Sequence, residues 1–514
     1  MAISSEPRFA WRVEVDDEDA TAALARELSH VLRPDDLVTL SGDLGAGKTT
    51  FARALIRELA GDPALEVPSP TFTLMQIYQT PLCPVVHADL YRLKSEDELA
   101  QLGWDEAAEG ALVMVEWADR AGDQLPGDRL DVALGLDLAR GPGARAVTLG
   151  GHGSFARRLA RAKAIHELLA HSGWSKAERR FMLGDASSRA YERLTHPDGG
   201  RAILMISPPR PDGPVIRFGK PYSGIARLAE NIVPFVAMDE ALRAQSLSAP
   251  EIYACDTTEG LAILEDLGAE PVVDANGPIP SCYAEAVAVL AALHGRDLPD
   301  AIPAGAAPAY KIPVYDLEAL LIEVELLVEW YVPAFAPLNV SSGAQATFVS
   351  LWKSLLAQTV YDERTWTLRD YHSPNLIWLP EREGLRRVGV IDFQDCVMGH
   401  PAYDVVSLLQ DARVTVGDEL ELRLLSHYAR KRREADAGFD MAGFARAYAV
   451  LGAQRATKIL GIFARLDKRD NKPQYLAHLP RVRRYLAKDL AHPVMAELKA
   501  WYETHAPGIF SDGA

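Results

Sequence analysis

The sequence predicts two domains of different class, an α/β unit followed by an α+β unit, and three observations carry that expectation. At 514 residues the chain exceeds the roughly 250–300 residues that one hydrophobic core supports. Near residue 40 an apolar strand, a Gly-rich turn and a helix follow one another, the order of an α/β unit. Far downstream, between residues 368 and 393, a polar loop and then an apolar strand carry Asp and Asn at fixed spacing. Composition agrees with folded domains, at 48% hydrophobic and 24% charged residues, and excludes disordered and fibrous classes.

Taken in order, alternating Trp11, Val13 and Val15 predict a strand, Ala22, Leu24 and Leu28 a helix, and Leu37-Val38-Thr39-Leu40 a buried strand. The apolar runs 84–87 and 111–115 predict further buried strands, and the Gly-rich stretch 138–152 ends the first domain. Phe155, Leu159, Ala162, Ile165 and Leu169 recur at helical spacing, so residues 155–183 are expected to form a helical bridge with a solvated basic face. A strand-rich segment is expected over 184–270 and long amphipathic helices beyond it. The domain limits on this reading are 1–155 and 160–514.

The N-terminus has no apolar core of secretory-signal length and no run of 18 apolar residues follows, so a cytoplasmic chain without membrane contact is expected. Cys83, Cys255, Cys282 and Cys396 lie far apart without a CxxC pair, as reduced structural cysteines do. Residues 1–150 hold 26 Asp and Glu against 13 Lys and Arg. That surface repels phosphate backbones, which points to a protein partner with a basic face.

Gly42, Asp43, Leu44, Gly45, Ala46, Gly47, Lys48 and Thr49 fit G-x-x-x-x-G-K-[ST] between a strand and a helix, with Thr50 next in that helix. In such a P-loop the backbone N–H groups surround phosphates, the lysine neutralises β/γ oxygens and the hydroxyl ligates Mg²⁺. ATP and Mg²⁺ are the expected cofactors. Four segments, SGDLGAGKTTFARAL, VPSPTF, HADLYRL and VEW, resemble the TsaE family, the P-loop ATPase subunit of the bacterial tRNA threonylcarbamoyladenosine machinery. The resemblance spans residues 8–152. It implies that Asp89 helps to hold Mg²⁺, that Glu116 lies beside the γ-phosphate, that Trp117 packs near the nucleotide and that Thr71 belongs to a switch-like segment. It also implies action within a complex of the other threonylcarbamoyl-transfer subunits, with tRNA reached only indirectly. Asp89 and Glu116 each follow an apolar strand, where α/β sheets present ligand-binding groups.

Leu368-Arg369-Asp370-Tyr371-His372-Ser373-Pro374-Asn375 reproduces the R-D-x-x-x-x-N spacing of kinase catalytic loops, and Val390-Ile391-Asp392-Phe393 supplies a strand-borne Asp. Asp370 is placed to accept the proton of an acceptor hydroxyl, and Asn375 and Asp392 offer oxygen ligands to Mg²⁺. Ser187 falls in a turn expected to cover phosphates, and Glu265 and Asp266 end a strand at an expected interlobe hinge whose backbone binds adenine. Asp404 is read as structural, tying down the catalytic loop. The segments GDASSRAYERL, LEDLG, LRDYHSPNLIWL and IDFQDCVMGHPAYDVVSLLQDAR resemble the AmgK family of aminoglycoside-phosphotransferase-like kinases, over residues 162–505. That resemblance implies phosphorylation of N-acetylmuramate and N-acetylglucosamine at C1, for peptidoglycan recycling.

One departure stands out: Met205 occupies the position where most kinases place the ATP-binding Lys. Either Lys220 or Arg189 takes its place, or the subfamily works without it. An aminoglycoside or choline-type kinase, and a non-catalytic ATP-sensing scaffold, are the alternatives for the second domain. The expected fold is therefore an α/β P-loop NTPase domain followed by a bilobal, protein-kinase-like aminoglycoside phosphotransferase domain.

Overall fold

The computed structural model describes residues 6–93, 98, 103–182, 189–209, 213–305, 307–335, 340–359 and 363–510. The chain divides into two compact units, Met1–Ser175 and Lys176–Ala514. Among the described residues no helix is long and apolar enough to cross a membrane. All four cysteines are free thiols.

The first unit is a seven-stranded mixed sheet in the order β1-β7-β6-β2-β5-β4-β3. Its strands are β1 (Phe9–Val15), β2 (Leu37–Ser41), β3 (Met75–Tyr78), β4 (Val85–Asp89), β5 (Leu112–Glu116), β6 (Leu130–Leu136) and β7 (Arg145–Gly151). The centre, β6-β2-β5-β4, is parallel. Parallel strands covered on both faces need continuous apolar runs, and β4 and β5 are buried along their whole length. Helices α1 (Glu18–Ser29) and α2 (Lys48–Ala60) contribute Leu24, Leu28, Phe51 and Leu55 to the core.

Helix α3 (Phe155–His171) packs on β1 and β7 and sends Phe155, Leu159 and Ala162 into that same core. The expected limits of 1–155 and 160–514 are corrected on this point, because the helix belongs wholly to the first unit. The bridge is also shorter than 155–183: Gly173, at φ +82°, follows the helix end, and Glu178–Met182 forms a strand.

The second unit has a small lobe with an antiparallel sheet and a large helical lobe. The sheet runs β11-β12-β10-β9-β8, from β8 (Glu178–Met182), β9 (Ala190–Thr195), β10 (Arg201–Ile206), β11 (Ile252–Asp256) and β12 (Leu261–Glu265). Helix α4 (Val233–Ala244) packs its apolar face into the shared core. In the large lobe α5 (Pro280–His294), α6 (Leu317–Leu326), α7 (Ala402–Leu409) and the 28-residue α8 (Met441–Lys468) surround two short strand pairs. These pairs are β13 (Thr365–Thr367) with β16 (Val397–Gly399), and β14 (Leu376–Trp378) with β15 (Val388–Val390).

Candidate active sites

The first site forms where β2 ends and α2 begins. Gly42 has φ +134°, and a Cβ there would lie 2.2 Å from the Leu134 carbonyl oxygen, so only glycine fits. Gly45 and Gly47 also have positive φ, which turns the loop back on itself. Lys48 is buried, donates to the Gly42 and Asp43 carbonyls at 2.8 and 3.0 Å, and lies 4.0 Å from the centroid of the Trp117 ring. Leu44 is exposed at the loop tip, while the buried Ala46 accepts a hydrogen bond from Arg145 Nε at 2.8 Å.

Asp89 and Glu116 are direct register partners at the C-terminal ends of parallel β4 and β5. Thr49 Oγ1 donates to Glu116 at 2.8 Å, and Ser69 and Thr71 donate to Asp89 at 2.8 and 3.0 Å. The structure thus gathers Lys48, Thr49, Thr71, Asp89, Glu116 and Trp117 at one place. Trp117 is held at φ +60°, an unusual conformation for a bulky residue that clusters at ligand sites. Thr50 is half-buried in the first turn of α2.

Sequence reasoning gave no role to His87 and Ser69. His87 is fully buried with Nε2 3.0 Å from Glu116. A signal was present, because residues two apart on a strand share a face and His87 precedes Asp89 by two.

The second site forms between β14 and β15. Asn375 enters β14 and Asp392 follows β15; Asn375 Nδ2 donates to the Asp370 carbonyl at 2.9 Å and to Asp392 Oδ2 at 3.3 Å. Both Arg369 and Asp392 have positive φ, and Arg369 is held in that conformation by its surroundings. Asp404 accepts the Leu368 and Arg369 N–H groups at 2.7 and 2.8 Å, and Ser407 donates to the Arg369 carbonyl at 3.0 Å. The Arg369 guanidinium donates to the Ala226 carbonyl at 2.9 Å and to the buried Glu323, which also pairs with Lys458 at 2.8 Å. Buried charges need such partners.

A cavity of about 580 Å³ opens over this loop. Apolar Ile203, Leu264, Ile377 and Ile391 line it together with Glu265 and Asp266. The side chains of those two acids are engaged elsewhere: Glu265 accepts from Arg382, and Asp266 accepts Gly268 N–H at 2.9 Å and pairs with Arg193 at 3.2 Å. Around Asp370 the same cavity is lined by His372, Arg413, Arg455 and Lys458, with Arg455 Nη1 4.0 Å from Asp370 Oδ1. Partial burial pushes the Asp370 carboxyl up, but His372, Arg455, Lys458 and Arg369 outweigh it and hold the group below the usual carboxylate range. Burial pulls the Lys458 ammonium down, and Glu323 more than restores it. Ser187 lies outside the described residues.

Neither site contains a self-sufficient metal cage: among the described residues no group of three or more His, Cys, Asp or Glu could hold an ion. Each offers one or two carboxylates beside a hydroxyl or amide oxygen. That donor set fits Mg²⁺, which keeps several waters and is held jointly by protein carboxylates and substrate phosphates.

Residues 15–140 match the sequence model of the family described as threonylcarbamoyl adenosine biosynthesis protein TsaE, and residues 178–440 match that of the phosphotransferase enzyme family. An N-acetylmuramate/N-acetylglucosamine kinase of Caulobacter vibrioides is 40% identical over 351 residues, covering 66% of this chain and 95% of that protein. A kinase of the same name from Pseudomonas putida is 28% identical over 338 residues, covering 65% and 91%. A tRNA threonylcarbamoyladenosine biosynthesis protein TsaE of Rickettsia bellii is 40% identical over 122 residues, covering 24% of this chain and 84% of that protein.

Proposed function

The chain belongs to two ATP-using families, that of threonylcarbamoyl adenosine biosynthesis protein TsaE through its first unit and the phosphotransferase enzyme family through its second, and from that premise we propose one activity for each unit. The second unit transfers the γ-phosphoryl group of ATP to the C1 hydroxyl of N-acetylmuramate or N-acetylglucosamine in peptidoglycan recycling. The first is the cytoplasmic ATPase of the machinery that builds N6-threonylcarbamoyladenosine-37 in tRNA, and it acts through the other subunits of that complex.

For the kinase, the observation that carries the reading is the set of cations around Asp370. Arg413, Arg455 and Lys458 line the cavity beside that carboxylate. They suit the carboxylate of N-acetylmuramate. Asp370 orients the acceptor hydroxyl and takes its proton as the sugar oxygen bonds to the γ-phosphorus and the bond to the β-phosphate oxygen breaks. Its low pKa makes it a weak base, so the proton leaves as that bond forms, as the loose transition state of phosphoryl transfer permits. The anomeric hydroxyl, more acidic than ring alcohols, suits so weak a base. Asn375 and Asp392 are the residues that would hold Mg²⁺ here, and Thr49 and Asp89 those of the first unit. When bound, Mg²⁺ neutralises charge on the phosphate oxygens. In the first unit Gly42, Asp43, Leu44, Gly45, Ala46, Gly47 and Thr50 surround the phosphates, Lys48 neutralises them and Glu116 faces the γ-phosphate.

Acid lability tests the sugar assignment. A C1 phosphate leaves readily because the ring oxygen stabilises an oxocarbenium-like state, so the radiolabelled product should lose phosphate in mild acid. An acid-stable product, or transfer to aminoglycosides alone, would refute the assignment. For the first unit, the full chain should capture the other threonylcarbamoyl-transfer subunits in an ATP-dependent way through this acidic unit. Tight binding of bare tRNA at physiological salt would refute that.

A further inference from the structure

The small-lobe strand beside the nucleotide cavity carries its one cation, Arg201, exposed at its far start, and a methionine near its end. Met205 of β10 is fully buried and shares the core with Phe235 of α4 and Phe393. The two phenyl rings stack at 5.1 Å between centroids. Protein kinases join this strand to the following helix by a Lys–Glu ion pair, and that lysine also binds the phosphates. Here the junction is apolar on both sides, yet the charge of a nucleoside triphosphate still has to be met.

Lys220 does not meet it. It is exposed on the hairpin of Val215–Arg217 and Lys220–Pro221. Arg193 is engaged with Asp266. Arg189, just before β9, is placed differently: its side chain is only 10% exposed, with Nη1 3.0 Å from Asp392 Oδ1 and 2.6 Å from Gln394 Oε1. Gln394 Nε2 in turn donates to Asp392 Oδ1 at 3.0 Å. The guanidinium is thereby fixed against Asp392, the carboxylate assigned to Mg²⁺ and itself part of the cavity lining, and lies with Met205, Phe235 and Gln394 in a small pocket behind that carboxylate.

We infer that Arg189 supplies the phosphate-binding cation of this kinase, entering from the start of β9 in place of the lysine that β10 lacks. The inference rests on the reading of the cavity as an ATP site. Arginine suits the position because its planar fork engages two phosphate oxygens while staying charged beside other groups. The tie to Gln394 gives it one orientation before the nucleotide arrives.

The test uses the full chain carrying Lys48→Ala, which leaves the kinase cleft as the ATP site. Binding of a non-hydrolysable ATP analogue and of adenosine is measured by calorimetry, with thermal unfolding followed alongside. Arg189→Met should weaken the analogue about tenfold or more and leave adenosine within about twofold, since only the phosphates lose a partner. Arg189→Lys should recover part of the loss, and Lys220→Met should change neither ligand. Equal affinity for the analogue in Arg189→Met and its parent overturns the inference, as does a parallel loss of adenosine, which marks a structural role. Failure of the parent to bind either ligand overturns the ATP-site reading itself and the inference with it.

Discussion

Asp370 shows how neighbours set the behaviour of one carboxylate. Partial burial alone would raise its pKa, and the surrounding cations reverse the sign. Removing one of them should make the group harder to ionise, so Arg455→Met should move the acid limb of the kcat profile to higher pH. An unchanged limb in that variant would show that Arg455 does not act on Asp370. Asp239 is the opposite case. It is fully buried in α4, neither carboxylate oxygen has a hydrogen-bond partner among the described residues, and burial pushes its pKa up to about 8 against an ordinary 3.8. Between those values the folded state holds a proton that the unfolded state has released, so stability falls as pH rises across the window, by up to ~1.4 kcal/mol per pH unit. Asp239→Asn should flatten the plot of Tm against pH between pH 5 and 8, and a curve parallel to the wild type would refute it. Asp370, Asn375 and Asp392 were legible because their spacing is set by one loop and one strand. Arg455 and Lys458 were not, since they arrive from a helix some 80 residues later and nothing local marks them.

At the level of elements, glycine decides two contacts. Gly42 makes the P-loop possible. Gly461 lets α8 lie against α6, where an added Cβ would come within 2.5 Å of both the backbone and the Cβ of Leu326. Helix propensity favours alanine over glycine by ~1 kcal/mol, but overpacking costs ~1–3 kcal/mol. Gly461→Ala should therefore lower the Tm of the second unit, and a rise would show that the helices separate easily. The helical spacing of Phe155 to Leu169 made α3 legible, whereas β8 was taken into the same helix. The reason is physical: β8 opens with three consecutive charged residues, Glu178, Arg179 and Arg180, at a sheet edge and buries little, so it lacks the apolar period of two that identifies a strand. The buried parallel strands β2, β4 and β5 were easy to read because both faces demand apolar side chains.

On the scale of the molecule, each unit has its own hydrophobic core and its own candidate site. Lys48→Ala should abolish ATP hydrolysis at the first site and spare sugar phosphorylation, and Asp370→Asn should do the reverse. Loss of both activities from either change would show that the sites are coupled. The two-unit organisation was legible from length and from two unrelated motifs, while its seam was not, because α3 reads as a polar connector until its apolar stripe is seen to fill the first core. That organisation fixes a copy number. Every chain carries one P-loop and one kinase cleft, so a cell translating it makes the two in a one-to-one ratio. Neither can be adjusted by synthesis without the other, and any separate control must act after the chain is made.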